Sequence, residues 1–170
     1  MMTTHRSRTR RLTAAVATGL VVALLGAGCT GGNPSEEETT IATYTPVPDD
    51  QLFSRVAELP HVESAKVSFR DNVTDGPLYS GALVGDGTEN PYATLDAAVA
   101  VLRQGRPGAQ ILLTLDVPSA GGTPVQFTST KLLDRTTADP LTDRYGPQPG
   151  TGQPPSGAAV PTPSGWTPAP

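Results

Sequence analysis

Apolar residues recur at helical spacing between Pro48 and Pro60, and this spacing predicts an amphipathic helix. Asp49 or Asp50 is expected to cap its first turn, because a short acidic side chain accepts hydrogen bonds from the free backbone N–H groups there. Pro60 ends the helix, since proline has no N–H to donate. The apolar face consists of Leu52, Phe53, Val56 and Leu59.

A second helical pattern begins at Asn90, which is expected to be the N-cap. Pro91 suits the first helical position, because an N–H group at that position would have no hydrogen-bond acceptor within the helix. Arg103 stands in the last turn, where a positive charge interacts favourably with the helix dipole. Gly105 and Pro107 then stop the helix. The apolar face consists of Leu95, Ala98, Val99 and Leu102.

Alternation of apolar and polar residues predicts strands at residues 65–70, 78–84, 111–117 and 125–127. The pattern is clearest at 111–117 and least clear at 78–84. A short third helix is predicted at Pro140–Tyr145. For the second strand two sets of core-facing residues stay open: Tyr79, Gly81 and Leu83, or Leu78, Ala82 and Val84.

The predicted element order is α-β-β-α-β-β, which reads as two hairpins, each preceded by a helix. Each hairpin has one apolar face that needs cover, and two amphipathic helices supply it. We therefore expect an α+β domain over residues 47–145. Its predicted architecture is a two-layer sandwich: a four-stranded, mostly antiparallel sheet with both helices on one face.

The N-terminal segment, residues 1–28, has the three parts of a secretory signal peptide. A basic head with four arginines and no acidic residue precedes a mostly apolar run over residues 12–25. A membrane-spanning helix needs about 20 apolar residues, so this run is short for a permanent span. Small residues then stand where a signal peptidase cleaves.

The stretch Leu25-Gly26-Ala27-Gly28-Cys29 resembles the lipobox of bacterial lipoproteins, and the composition suits a small envelope lipoprotein of actinobacterial type. Gly26 stands where that family usually has leucine, and the resemblance ends at Cys29. It implies cleavage before Cys29 and lipidation of the Cys29 sulfur with fatty acyl chains such as palmitate. The chain would then be anchored on the extracytoplasmic face of the cell membrane. An ordinary cleaved signal with a free thiol and an uncleaved anchor are the alternatives.

Two polar segments flank the predicted domain. Residues 29–46 hold the lipidation cysteine and a Gly-, Thr- and Glu-rich stretch that is expected to be a flexible tether, although Ile41–Thr45 is also compatible with an edge strand. Residues 146–170 are rich in proline and glycine and carry no charge, which predicts a disordered, partly polyproline II tail. Trp166, the single tryptophan, lies in this tail.

Charge excludes one class of partner. Residues 1–28 hold four of the twelve basic residues and none of the sixteen acidic ones, so the chain after cleavage has a net charge of −8. A surface of this sign repels nucleic acid, which is bound through clustered Lys and Arg. We expect no nucleic-acid partner, and membrane attachment through the lipid alone.

Few residues are available for catalysis after cleavage. His61 is then the only histidine and Cys29 the only cysteine, so neither a zinc site nor a Ser-His-Asp triad is predicted. In the chain after the predicted cleavage, no GxSxG, HExxH, GxGxxG or phosphate-loop motif occurs. The acidic loops RDNVTDG and GDGTENP are interpreted as turns, with calcium binding as a weak alternative. We expect no enzyme, no cofactor and no metal.

These observations predict a lipid-anchored extracytoplasmic protein with a non-catalytic binding or scaffolding role at the cell envelope. Its expected partner is an envelope protein or a wall polymer. The main alternative is a lipoprotein that binds a small ligand or an ion, for which a pocket of several hundred cubic ångströms would be the sign. An envelope hydrolase with paired carboxylates is the third possibility.

Overall fold

The computed structural model describes residues 44–120, 122–164 and 166–168. The predicted signal peptide, the lipidation at Cys29 and residues 30–43 of the tether lie outside the described residues. Tyr44 and Thr45, the described end of the possible edge strand, belong to no strand. Within the described ranges, no helix is both long enough and apolar enough to cross a membrane.

Within the described residues, the fold consists of seven helices and strands and one 3₁₀ helix. They are α1 (Asp49–Ala57), β1 (Val62–Asn72), β2 (Gly76–Gly85), α2 (Pro91–Leu102), β3 (Gln110–Val117), β4 (Val125–Thr128), a 3₁₀ helix (Ser129–Leu132) and α3 (Pro140–Tyr145). The predicted elements are all present, and the first two strands extend further at both ends than the alternation indicated.

The four strands form one mixed sheet in the order β1-β2-β3-β4. β1 and β2 are antiparallel, and so are β3 and β4, but the central pair, β2 and β3, is parallel. The prediction of a mostly antiparallel sheet is therefore wrong at its centre. The cause is α2, which carries the chain back along the sheet between β2 and β3, because parallel neighbours need a crossover connection.

The structure decides between the two offsets of the second strand. Tyr79 and Leu83 are fully buried, whereas Val84 is 39% exposed. Gly81 shares the buried offset and lies opposite Val67 on β1. A Cβ atom on Gly81 would stand only 2.6 Å from the carbonyl oxygen of Lys66, so no larger residue fits there without moving the strand.

The helix caps agree with prediction at one helix and not at the other. The Asn90 side chain accepts a hydrogen bond from the Tyr92 N–H, and Pro91 occupies the first position of α2. At α1 the N-cap is Pro48, and no side chain caps the helix. The Asp49 carboxylate instead accepts a hydrogen bond from the buried Tyr79 hydroxyl, 2.7 Å away. Asp49, one of the two predicted caps, therefore attaches α1 to the sheet instead of capping the helix.

The core is one cluster of buried side chains from the sheet and from the helices α1 and α2. α1 contributes Leu52 and Val56, which are fully buried, and α1 contacts both β1 and α2. α2 is apolar around most of its circumference and contacts β3. The buried sheet residues of this cluster are Tyr79, Leu83, Ile111, Leu113, Leu115, Val117 and Phe127.

The described part of the predicted C-terminal tail is in contact with the body. The Asn90 side chain donates to the Pro161 carbonyl at 3.2 Å, and Arg144 donates to the Ala159 carbonyl at 3.2 Å. Trp166 is partly buried and packs against the core cluster. Side chains at the start of α2 and on α3 therefore hold the backbone of this segment through hydrogen bonds.

Candidate functional site

A pocket of about 540 Å³ lies at the end of the sheet where the parallel strands begin. β2 contributes Leu78, and β3 contributes residues 110–112. The loop before β3, the chain around the 3₁₀ helix, and α3 close the other sides. The pocket is therefore built from segments that the sequence separates by up to 70 residues, and its volume is in the range of small-molecule sites.

The pocket wall is mainly apolar and includes a few polar side chains. Its polar lining includes Arg103, Thr130, Asp139, Thr142 and Gln148. Its apolar lining includes Leu78, Ala109, Ile111, Leu112, Leu133 and Leu141. A largely apolar cavity with a few polar groups is typical of sites that bind and orient a small ligand.

Arg103, the C-cap of α2, is one of two charged residues that line the pocket and is only 3% exposed. Its Nη2 atom donates to the Thr142 hydroxyl at 3.2 Å and to the Gly146 carbonyl at 2.6 Å. Its Nε atom is buried and has no hydrogen-bond partner. Burial lowers the pKa of the Arg103 guanidinium, because the charged form loses hydration.

No carboxylate in the described part of the chain forms an ion pair with Arg103. The Asp139 carboxylate lines the same pocket and acts on Arg103 only through its field. As the N-cap of α3, it accepts a hydrogen bond from the Thr142 backbone N–H at 3.1 Å. Hydrogen bonds from Thr142 lower the pKa of Asp139, so this carboxylate is charged at neutral pH.

Gln148 fastens the segment after α3 to the end of α2. Its side-chain oxygen accepts from the Gly108 N–H at 2.8 Å, and its nitrogen donates to the carbonyls of Arg103 and Arg106, both at 3.2 Å. All of its polar atoms therefore have partners within the protein. Gln148 therefore fixes one wall of the pocket. Arg103, in contrast, has a side-chain nitrogen without a hydrogen-bond partner.

A second buried cluster joins α3 to α2. Asp96 on α2 is 2% exposed and receives two hydrogen bonds from Arg144, at 3.0 and 2.8 Å. The Tyr145 hydroxyl donates to the same carboxylate at 2.6 Å. Burial, and secondly the Asp96 carboxylate, raise the pKa of Tyr145. Because every charged group here is matched, we interpret the cluster as the attachment of α3 to α2.

His61 takes part in a polar group at the opposite end of β2. The sequence predicts a turn residue, and the structure places His61 between α1 and β1 at φ 64°, a conformation in which histidine is found more often than most residues. Its Nδ1 atom lies 3.0 Å from both Asp86 Oδ2 and Thr88 Oγ1. A hydrogen bond from the Thr88 N–H is the main cause that lowers the pKa of Asp86.

The two acidic loops lie at opposite ends of β2, as the sequence indicates, and act as turns. Asn72 Oδ1 accepts from the N–H groups of Thr74 and Asp75, and Asp86 Oδ1 accepts from Thr88. Over the residues with assigned positions, no group of three His, Cys, Asp or Glu side chains is arranged to hold a metal ion.

The pocket is not predicted from the sequence. The sequence connects Arg103 only with the helix dipole, and it places Thr142 in a short helix and Gly146 in an uncharged tail. The one local signal is that Arg103 directly follows the apolar face of α2 and stands two residues before Gly105. Comparisons with protein-family models, curated proteins and solved structures give no match to this chain.

Proposed function

We propose that this chain is a lipid-anchored protein of the extracytoplasmic membrane face that binds a small ligand without catalysing a reaction. The pocket at the start of β3 is the observation that carries the proposal. Its volume of about 540 Å³, its apolar wall and its few polar groups match the usual properties of ligand sites. This favours the ligand-binding alternative over a purely scaffolding role.

The location rests on the sequence. The lipobox-like residues before Cys29 and the basic, then apolar, segment before them support export and lipidation. Two acyl chains hold a protein to a membrane firmly, whereas one does so only marginally. Metabolic labelling with a fatty-acid probe tests this part: label is expected on the wild-type chain and not on Cys29→Ala, and label retained by Cys29→Ala would refute it.

Binding can be tested with N-phenyl-1-naphthylamine, an uncharged apolar dye that fluoresces when it leaves water. The lipid-free chain beginning at residue 30 is expected to bind the dye saturably. Leu133→Trp places a bulky side chain at the pocket wall and is expected to abolish binding. Val73→Trp, on a fully exposed turn outside the pocket, is the matched control and is expected to bind as wild type does. Equal binding by both variants would contradict the proposed function.

A second candidate function, attachment of an envelope protein or wall polymer, is favoured by one face of the sheet. Val84 and Leu112 are 39% and 45% exposed, and Lys66 and Ser68 on β1 are exposed between half-buried neighbours. We propose that α1 and α2 both cover the opposite face, because their buried residues share one core cluster.

Photo-crosslinking in intact cells tests this candidate. A crosslinking residue at Val84 is expected to yield one discrete adduct, and the same residue at the exposed Val73 none. A ladder of products at both positions would indicate random collision and would remove the support for a docking face.

A further inference from the structure

The pocket contains a positive charge, that of Arg103, which forms no ion pair with any group in the described part of the chain. Arg103 is 3% exposed, so water cannot hydrate its guanidinium as it would on the surface. A buried charge without an ion pair is unfavourable unless another group supplies the missing interactions. Its two hydrogen bonds, to Thr142 and Gly146, leave the Nε atom without a partner.

A bound anion would supply those interactions. Arg103 lines the pocket and has no ion pair in the described part of the chain, so its positive charge is available to a negative group bound there. Both N–H groups of Nη2 already donate, to the Thr142 hydroxyl and to the Gly146 carbonyl, so the attraction for a bound anion comes chiefly from the unpaired charge of the guanidinium. The Thr130 hydroxyl also lines the pocket and is a further donor for such a group.

Asp139 limits the charge of the anion. Its carboxylate lines the same pocket, and the hydrogen bonds from Thr142 keep it ionised. The pocket thus contains one positive and one negative group. A monoanion is matched by the single charge of Arg103, whereas an anion of charge −2, such as a phosphate monoester, would place a second, unmatched negative charge near Asp139 and away from water. A single carboxylate fits this balance better.

The apolar part of the pocket wall indicates the chemistry of the rest of the ligand. Leu78, Ile111 and Leu141 line it together with Leu133, and none of these side chains can form a hydrogen bond. An apolar ligand body gains free energy by leaving water for such a wall. We infer that the pocket binds an amphipathic monocarboxylate, with the carboxylate on Arg103 and an apolar body against the leucine and isoleucine side chains. This inference rests on the proposed ligand-binding function.

The experiment compares octanoate with 1-octanol as competitors of N-phenyl-1-naphthylamine on the lipid-free chain. The two compounds have the same apolar chain, and only octanoate carries a charge at neutral pH. A hydrogen-bonded charge pair corresponds to a factor of about ten to a hundred in affinity, so octanoate is expected to displace the dye at a concentration at least about tenfold lower. Octyl phosphate is expected to be weaker than octanoate.

Three variants assign the effect to the residues named. Arg103→Gln is expected to remove the preference for octanoate over octanol, whereas Arg103→Lys keeps part of the preference because it keeps the charge. Asp139→Asn retains a side-chain oxygen for capping α3 and removes the negative charge. It is expected to strengthen octanoate binding by about two- to fivefold.

The outcomes separate this inference from the proposed function. If dye binds the pocket but octanoate and octanol displace it equally, the monocarboxylate inference is overturned and the ligand-binding function stands. If octyl phosphate is the strongest competitor, the charge argument is wrong. If the dye does not bind, or binds equally to Leu133→Trp, the proposed function itself fails. The ratio of the octanol and octanoate concentrations that displace the dye from the wild-type protein tests the monocarboxylate inference even if Arg103→Gln does not fold.

Discussion

Arg103 at the end of α2 and Arg144 on α3 both have largely buried side chains, yet their surroundings differ. Arg144 makes two hydrogen bonds to Asp96, whose side chain is 3% exposed, and these bonds are the main cause that raises the pKa of Arg144. Arg103 has no ion pair within the described ranges, and burial lowers its pKa. A matched buried charge holds two helices together, whereas an unmatched one in a pocket is available to a ligand.

The largest expected effect comes from breaking the matched pair. Asp96→Ala leaves the Arg144 guanidinium and the Tyr145 hydroxyl buried without their acceptor, which is expected to lower the free energy of unfolding by about 3–5 kcal/mol. Urea denaturation measures this. Asp143→Ala, which removes an exposed carboxylate on α3, is the control and is expected to have little effect. Equal midpoints for the two variants would show that Asp96 does not hold α3.

Removal of the unmatched charge is expected to matter less. Arg103→Met loses hydrogen bonds to Thr142 and Gly146, but it also removes the unfavourable burial of a charge, so the two effects partly offset each other. We expect the free energy of unfolding to change by no more than about 1 kcal/mol in urea denaturation. A decrease in the free energy of unfolding as large as that of Asp96→Ala would mean that Arg103 is a structural residue. The contrast between Arg103 and Arg144 would then not hold.

Acid should affect the pocket through Asp139. Its pKa in the folded protein lies below the usual value, so its contribution to stability is present above about pH 4 and is lost as pH falls through the lowered pKa. Asp139→Asn has no such group to protonate. The decrease in Tm between pH 5 and pH 2.5 is therefore expected to be smaller in Asp139→Asn than in wild type, and an equal decrease would argue against the lowered pKa.

The smallest effect is expected at a third arginine, which is paired but exposed. Arg106 lies 3.0 Å from the Asp49 carboxylate, and its side chain is 52% exposed. Water screens such pairs, and the ordering of a long side chain offsets most of the attraction. Arg106→Met is expected to leave the urea midpoint within experimental error, and a clear decrease would show that the cation–π contact with Phe69 contributes appreciably.

The sequence was sufficient for the elements because their signals are local. Asn90 and Pro91 mark the start of α2, and the alternation at residues 111–117 marks β3, each within a few neighbouring positions. The parallel pairing of β2 and β3 was missed because two strands joined by a helix were read as parts of separate hairpins. The strand–helix–strand order was the signal for a crossover.

The candidate site could not be predicted because its parts lie far apart in the chain. Arg103 is buried by Thr142 and Gly146, which are 39 and 43 residues away, and the latter belongs to a segment that composition alone assigned to a disordered tail. No local pattern shows that an arginine at a helix end will lack a carboxylate partner. That fact depends on which residues the tertiary fold brings to it.

A crystal structure of the lipid-free chain grown with octanoate tests the central claim most directly. We expect the carboxylate oxygens to lie about 3 Å from the Arg103 guanidinium nitrogens, with the alkyl chain along Leu78, Ile111 and Leu141. The account would be contradicted by an alkyl chain pointing toward Arg103 with the carboxylate in solvent, or by an empty pocket at saturating octanoate.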